Sequence, residues 1–539
     1  MKKELFFLIN FFVVISLFAY PGEIIKQLKA PNRHCTGLTY DGKYLWVADR
    51  GTDSLYKIDT KDGHIIKSIS APGYWTTGLA WDGQHLWVID ERGGIPQGDE
   101  FFTGYLYMID TMNGNVLHHT SLPFSNPQDL TYDGKYMWVI SATDNKLIKF
   151  NPYDGTSIIE FTAPSRGCTG LSYDGSYLWI ANHIRNEIYK VSPIDGSVII
   201  LTYSPNEYPR GMAFDGNYLW LVDSQTDSLY QMKIRDDDKL IKTKSRTAKL
   251  VFTQSAMNFG PGKVNTLDFY FAIPQSMDNQ EILGEVQFST KPTKILTDKW
   301  GQKIAHFHYD NVSAGTKVQI EMYVDAIMYD TRYFIYPEKV GTLNDIPEKL
   351  KKIYLVDDEK YDITHPTIQK AVQEAIGNEL NVYKIVKNIY HYLHDKLYYE
   401  RAGGWNTAPT VLERGNGSCS EYTFVFIAMC RAAGVPARYV GSVVERGEAA
   451  SMDEVFHRWV EVYLPNYGWI PVDPSGGDEP LQADKARYFG FTGRRFLITT
   501  TGGGNSEYLD WSYNGNVRFT TEPKTFVVTE SYGDWEPIY

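Results

Sequence analysis

Cysteine is scarce, with only Cys35, Cys168, Cys419 and Cys430 among 539 residues. A disulfide framework needs far denser cysteine, so the folds must be held by packing. Basic charge is also in deficit: 53 lysines and arginines stand against 65 aspartates and glutamates. The resulting formal charge of −12 repels phosphate backbones, and no nucleic-acid partner is expected. No CxxC, HExxH or EF-hand loop occurs, so no metal or other cofactor is expected. Apolar runs long enough for a bilayer are missing after the N-terminus, and no membrane span is expected in the mature chain. Wholesale disorder is excluded from the other side, because charged residues make up only 22% and aromatics reach 14%.

Lys2 and Lys3 precede an apolar run over residues 5–18. Its length fits the h-region of a signal peptide rather than a span of ~20 residues, which predicts export to the periplasm, cell surface or exterior. Residues 1–19 are read as that peptide. Leu17 at the minus-three position is a weak cleavage residue, so a retained N-terminal anchor is the alternative. The first cysteine, Cys35, lies too far on for a lipid attachment.

A repeat fills the first two fifths. TGLTYDGKYLWVAD from Thr36 recurs as TGLAWDGQHLWVID from Thr77, QDLTYDGKYMWVIS from Gln128, TGLSYDGSYLWIAN from Thr169 and RGMAFDGNYLWLVD from Arg210. Trp46, Trp87, Trp138, Trp179 and Trp220 are spaced by 41, 51, 41 and 41 residues, and the long interval between Trp87 and Trp138 holds a polar, Gly-rich insertion around Gly93 to Thr103, with Arg92 to Gly98 at its start. Each unit reads as four strands, the first two joined at an Asp-Gly turn, which is the size and pattern of a propeller blade. The fifth unit runs from its third strand (228–234) into the charged stretch 235–238, so residues 21–29, patterned like 62–70, are expected to supply its fourth strand and close the ring. The tryptophans are read as packing residues, and Cys35 and Cys168 as small buried ones in non-neighbouring blades. Residues 20–240 thus make a five-bladed β-propeller that resembles YVTN- and NHL-type propellers. That resemblance implies capture of a macromolecular partner.

Between 247 and 340 the period becomes two. Leu267, Phe269, Phe271 and Ile273 share one strand face, and Val318, Ile320, Met322, Val324 and Ala326 share another, which predicts a β-sandwich. From His365 the period is helical, with Ile368, Val372 and Ile376 in one row. An α+β domain is placed at 345–484, and a β extension without recognisable chemistry at 485–539.

The strongest local signal is GNGSCSEYTFVFIAMCRAAGVPAR. Ser418 and Glu421 fit a capping box, so a helix should start at Cys419, run buried, and stop at Gly434 and Pro436. A thiol in a first helical turn meets unpaired N–H groups that favour thiolate, which makes Cys419 a candidate nucleophile. Downstream, FHRWVEVYLPNYGWIPVDPS alternates as two strands. Pairing Tyr463 with Tyr467 sets Asp473 opposite His457, where a carboxylate could orient the imidazole. Cys430 lies eleven residues along the same helix, ~16 Å away, beyond disulfide reach. Asn416 heads a formal glycosylation sequon, but a glycan there would obstruct Cys419, and the segment is read as a turn.

With G-S-C-S-E-Y, H-R-W-V-E-V-Y and G-W-I-P-V-D-P in this order, residues 363–478 resemble the transglutaminase-like superfamily of papain-like cysteine enzymes. The resemblance implies Cys419 as nucleophile, His457 as general base and acid, and Asp473 as orienting carboxylate. Trp405 is a candidate indole donor to an oxyanion, with packing as the plainer role. The expectation is an exported cysteine enzyme that attacks carboxamides of a protein or peptide substrate, with hydrolysis, by a peptidase or deamidase, favoured. The alternatives are a crosslinking transglutaminase and a catalytically idle propeller-based binding or adhesion protein.

Overall fold

The Asp-Gly repeat fixes local geometry first. In the computed structural model, which describes residues 20–91, 103–234, 239–401, 404–447 and 452–537, each Asp-Gly pair closes a hairpin whose glycine has φ between +92° and +101°. Glycine adopts this conformation without a Cβ penalty. The aspartate does two further jobs. Its Oδ1 accepts the backbone N–H groups two and three residues on, as Asp41 does from Lys43 and Tyr44. Its Oδ2 accepts the indole N–H five residues on: Trp46, Trp87, Trp138, Trp179 and Trp220 donate to Asp41, Asp82, Asp133, Asp174 and Asp215 at 2.8–3.1 Å. Each indole is thereby buried with its one polar atom satisfied.

These units form five four-stranded antiparallel sheets. In the last, the strand Ile24–Lys29 pairs with Ser228–Lys233, so the start of the described chain completes the fifth unit, as its pattern predicts. The first strands of successive sheets lie side by side. Thr36 Oγ1 donates to Thr76 O, Thr77 Oγ1 to Pro127 O and Thr169 Oγ1 to Pro209 O, each at 2.8 Å, and Ser224 Oγ donates to Cys35 O at 3.0 Å, bringing the fifth sheet back to the first. A Cβ on Gly37 would sit 2.8 Å from the Gly78 Cα, so this approach requires glycine. Residues 1–19, the insertion around Arg92 to Gly98 and the charged stretch 235–238 lie outside the described residues.

The boundary expected between 240 and 247 falls inside one strand, Leu240–Gly260. That strand pairs with Lys317–Tyr333 on one side and Phe526–Pro537 on the other. A second sheet runs in the order Lys294–Thr297, Lys303–Val312, Val264–Ala272, Gly515–Thr521. Alternate apolar side chains of the two sheets, among them Phe252, Phe269, Phe271, Phe307 and Met322, bury a shared core.

The α-helices begin at Glu348. Those spanning Pro366–Ile376, Val382–Lys396, Ala408–Arg414 and Cys419–Ala432 pack against a four-stranded sheet ordered Gly468–Val472, His457–Leu464, Ala437–Val444, Phe496–Gly502. The Cys419 helix is buried nearly all round, and each large apolar side chain such as Phe424 or Ile427 contributes about 1.5–3 kcal/mol on burial. The strands beyond 485 do not stand apart as an extension. Phe496–Gly502 joins the helix-packed sheet, while Gly515–Thr521 and Phe526–Pro537 complete the two sheets upstream. The short helix Gln482–Arg487 lies against the N-terminal strand Val198–Tyr203, with Ala483 and Ala486 in its core, Arg185 bound to Asp484, and Arg487 2.5 Å from Glu187.

Candidate functional site

The Cys419 helix starts where the capping box predicts. Ser418 is its N-cap, and Glu421 closes the box by accepting the Ser418 N–H at 3.1 Å. Glu421 is fully buried and needs more than that: Arg414 and Asn406 reach it at 2.9 and 2.8 Å. These two partners carry no signature in sequence, because nothing local ties them to the cap.

His457 opens its strand, and its Nε2 lies 2.7 Å from Asp473 Oδ2. The sequence-derived register differs from this one. Tyr463 pairs with Trp469 rather than Tyr467, across a three-residue loop in which Tyr467 N–H donates to Leu464 O and Asn466 and Gly468 take φ of +69° and +87°. The slip is by a whole pleat, so His457 and Asp473 keep the same face of the sheet. Asp473 sits just past its strand end, diagonal to His457. Its other oxygen, Oδ1, accepts from Ser475 N, Ser475 Oγ and Gly476 N at 2.9–3.1 Å. Phe496 stacks on the imidazole with ring centroids 5.5 Å apart.

With Nε2 on Asp473, Nδ1 is left for the thiol. Burial would push His457 down, but the Asp473 charge and hydrogen bond, together with Cys419, hold it up at about 10. Burial likewise pushes the Cys419 thiol up, and hydrogen bonding to His457, its charge and the Arg458 backbone N–H outweigh this, leaving the thiol below its ordinary value. Asp473, despite burial, is held below the ordinary carboxylate range by the His457 charge and the donors at Gly476 and Ser475. Each of the three shifts favours the charged form: carboxylate, imidazolium and thiolate.

Cys419 opens onto a cleft of about 360 Å³, whose walls include Trp405, Tyr399, Phe456 and Tyr513. Trp405 thus lines the same cleft as Cys419 and is exposed. Arg458 follows His457 on the strand's opposite, buried face, where Tyr513, Tyr439, Trp405 and Phe424 surround its guanidinium at 4.2–5.3 Å. Strand alternation could have flagged an arginine on a core-facing position. Cys35, Cys168 and Cys430 are free, buried thiols, and burial raises all three.

Among the described residues one cluster could hold a cation. Asp268, His306 and His308, on the neighbouring strands Val264–Ala272 and Lys303–Val312, keep their ligand atoms within 4.8 Å of one another. Both imidazoles already bond Asp268 Oδ1, each at 2.7 Å, and none of the three lines the Cys419 cleft. Among the described residues no helix is long and apolar enough to cross a membrane.

Residues 369–474 match the transglutaminase-like superfamily. The chain is 25% identical over 171 residues to the uncharacterized protein YebA of Bacillus subtilis (strain 168), an alignment that covers 30% of this chain and 21% of that protein. The chain thus spans about a fifth of the length of this curated relative. Among solved structures, a candidate cysteine protease from Cytophaga hutchinsonii aligns with a TM-score of 0.37 at 14% identity, over 54% of this chain and 92% of the other. Virginiamycin B lyase from Staphylococcus aureus aligns at 0.25 and 18%, over 38% and 68%.

Proposed function

We propose that this chain is an exported cysteine acyl-transfer enzyme that hydrolyses carboxamide bonds in protein or peptide substrates. The observation that carries the reading is His457 held between a thiol on the first turn of a helix and a partly buried carboxylate 2.7 Å from its Nε2. Cys419 thiolate attacks the substrate carbonyl carbon, and the backbone N–H of Cys419 is the natural first donor to the oxyanion. His457 then gives its Nδ1 proton to the leaving nitrogen as the C–N bond breaks, which leaves an acyl-enzyme thioester. Water, deprotonated by the now neutral imidazole, attacks the thioester and releases the acid and the thiolate. Asp473 holds the imidazole in the tautomer that both steps need.

Water is favoured as the resolving nucleophile because it needs no second binding site. In this reading the five N-terminal sheets are a propeller that holds a macromolecular partner near the cleft, and the two facing sheets over 247–340 are a β-sandwich that supports it. The test is mass spectrometry of a glutamine-rich protein incubated with and without a primary amine, with Cys419→Ala as control. Cleavage or a deamidation mass shift that needs Cys419 supports hydrolysis. Amine incorporation would name a crosslinking transglutaminase instead, and no Cys419-dependent change, with no labelling by a thiol-reactive probe, would leave a binding or adhesion protein.

A further inference from the structure

A second cavity, of about 430 Å³, is lined in part by Asp473 and shares no lining residue with the Cys419 cleft. Asp473 and Trp459 form one wall, and Phe491 and Phe496 supply apolar surface beside it. Three parts of the chain meet there: Tyr203 comes from the fourth N-terminal sheet, Arg332 from the long strand Lys317–Tyr333, and Arg487, Arg494 and Arg495 from the segment that leads into Phe496–Gly502. Four guanidiniums thus converge on one cavity.

Their partners are unequal. Arg487 is matched by Glu187 at 2.5 Å. Among the described residues the Arg494 side chain hydrogen-bonds Ser245 O, at 3.3 Å, and lies near the Glu445 charge, while Arg495 lies over the Phe496 ring. Arg332 is the informative one. It is 6% exposed, and among the described residues its side chain makes no ion pair or hydrogen bond, only a contact over the Phe491 ring at 4.7 Å. The carboxylates facing it are Glu187, already taken by Arg487 and the Tyr189 hydroxyl, and Asp330, whose Oδ1 accepts the Arg494 N–H. Burial, aided by the Arg487 charge and only partly offset by Tyr203, Glu187 and Asp330, pulls Arg332 down to about 10. A buried charge left unpaired costs several kcal/mol unless something brings in the opposite charge.

We infer that this cavity is a carboxylate-binding subsite, in which Arg332 with Arg494 and Arg495 holds an acidic side chain or a free C-terminal carboxylate of a peptide. The planar guanidinium fork suits a carboxylate, and the aromatic walls suit the carbon chain that bears it. The role of the subsite in substrate choice rests on the hydrolase reading above, whereas binding itself does not. It gives the N-terminal sheets a part in recognition, since Tyr203 closes one side.

The test uses the full chain carrying Cys419→Ala, so no turnover is required. Calorimetric titration would compare acetyl-Ala-Gln-Ala-Glu-amide with its Gln counterpart, and acetyl-Ala-Gln-Ala-Ala with a free or an amidated C-terminus. The acidic member of at least one pair should bind roughly tenfold tighter or more, and the pair that discriminates identifies which carboxylate is held. Arg332→Met should abolish that preference and leave the melting temperature unchanged or raised, because it removes an unpaired buried charge at similar volume. Equal binding within both pairs, discrimination that survives Arg332→Met, or a lowered melting temperature in that variant would each overturn the proposal. Failure of the catalytic reading would show instead as absent turnover in the unmutated chain, with these titrations unaffected.

Discussion

Replacing Asp473 with Asn tests the chemistry at its hinge. The Oδ1 side of the carboxylate is held by three donors, Ser475 N, Ser475 Oγ and Gly476 N, and an Asn carbonyl can accept all three. The amide NH₂ is then forced into the Oδ2 position, 2.7 Å from His457 Nε2. A donor there requires Nε2 to be an acceptor, so the ring proton moves to Nδ1 and the imidazole can no longer take a proton from Cys419. A wrong tautomer of this kind costs about 10³–10⁴-fold in kcat, roughly 4–5.5 kcal/mol. The thiol reports the same event without a substrate. In the unmutated chain the His457 imidazolium, raised from 6.5 to about 10, lowers the neighbouring Cys419 thiol and favours its thiolate. The ion pair is lost as pH rises through about 10. In Asp473→Asn the thiol reverts toward an unassisted value of ~8.5, so alkylation by iodoacetamide at pH 6 should slow by roughly tenfold or more while the two proteins converge above about pH 9. Superimposable pH profiles, with both proteins folded by circular dichroism, would refute the claim that Asp473 controls the charge state of the pair.

Other consequences can be checked by calorimetry or denaturation. Asp129 stands where the other four N-terminal units carry glycine, and its buried carboxylate accepts the backbone N–H groups of Leu130, Leu171 and Met212 at 2.8–3.2 Å; Asp129→Gly should cost about 2–4 kcal/mol by leaving buried donors unpaired, and Asp129→Asn less. Deleting residues 20–30 removes the strand that pairs with Ser228–Lys233 and should lower the melting temperature, with an unchanged curve arguing against closure by that strand. Arg487→Ala leaves Glu187, 2% exposed, without its cation and should destabilise by about 3–5 kcal/mol, a loss that Glu187→Gln combined with Arg487→Met should largely recover.

What could be read from the chain alone is what depends on near neighbours. The Asp-Gly repeat specifies its hairpins because only turn residues within a few positions are involved, and the Ser418 to Glu421 box specifies the start of the Cys419 helix for the same reason. Strand alternation put His457 and Asp473 on one face correctly, since a face depends only on parity. Their register did not follow, because it depends on how many residues the turn at 465–467 spends, and two turn lengths satisfy the same alternation. Tertiary structure alone decided the rest. The Asp129 hub, the return of the last strands into sheets begun about 250 residues earlier, and the gathering of Arg332 with Arg494 and Arg495 beside Asp473 all join groups far apart in sequence. No local period encodes such pairs, and their burial and charge exist only once the sheets have met.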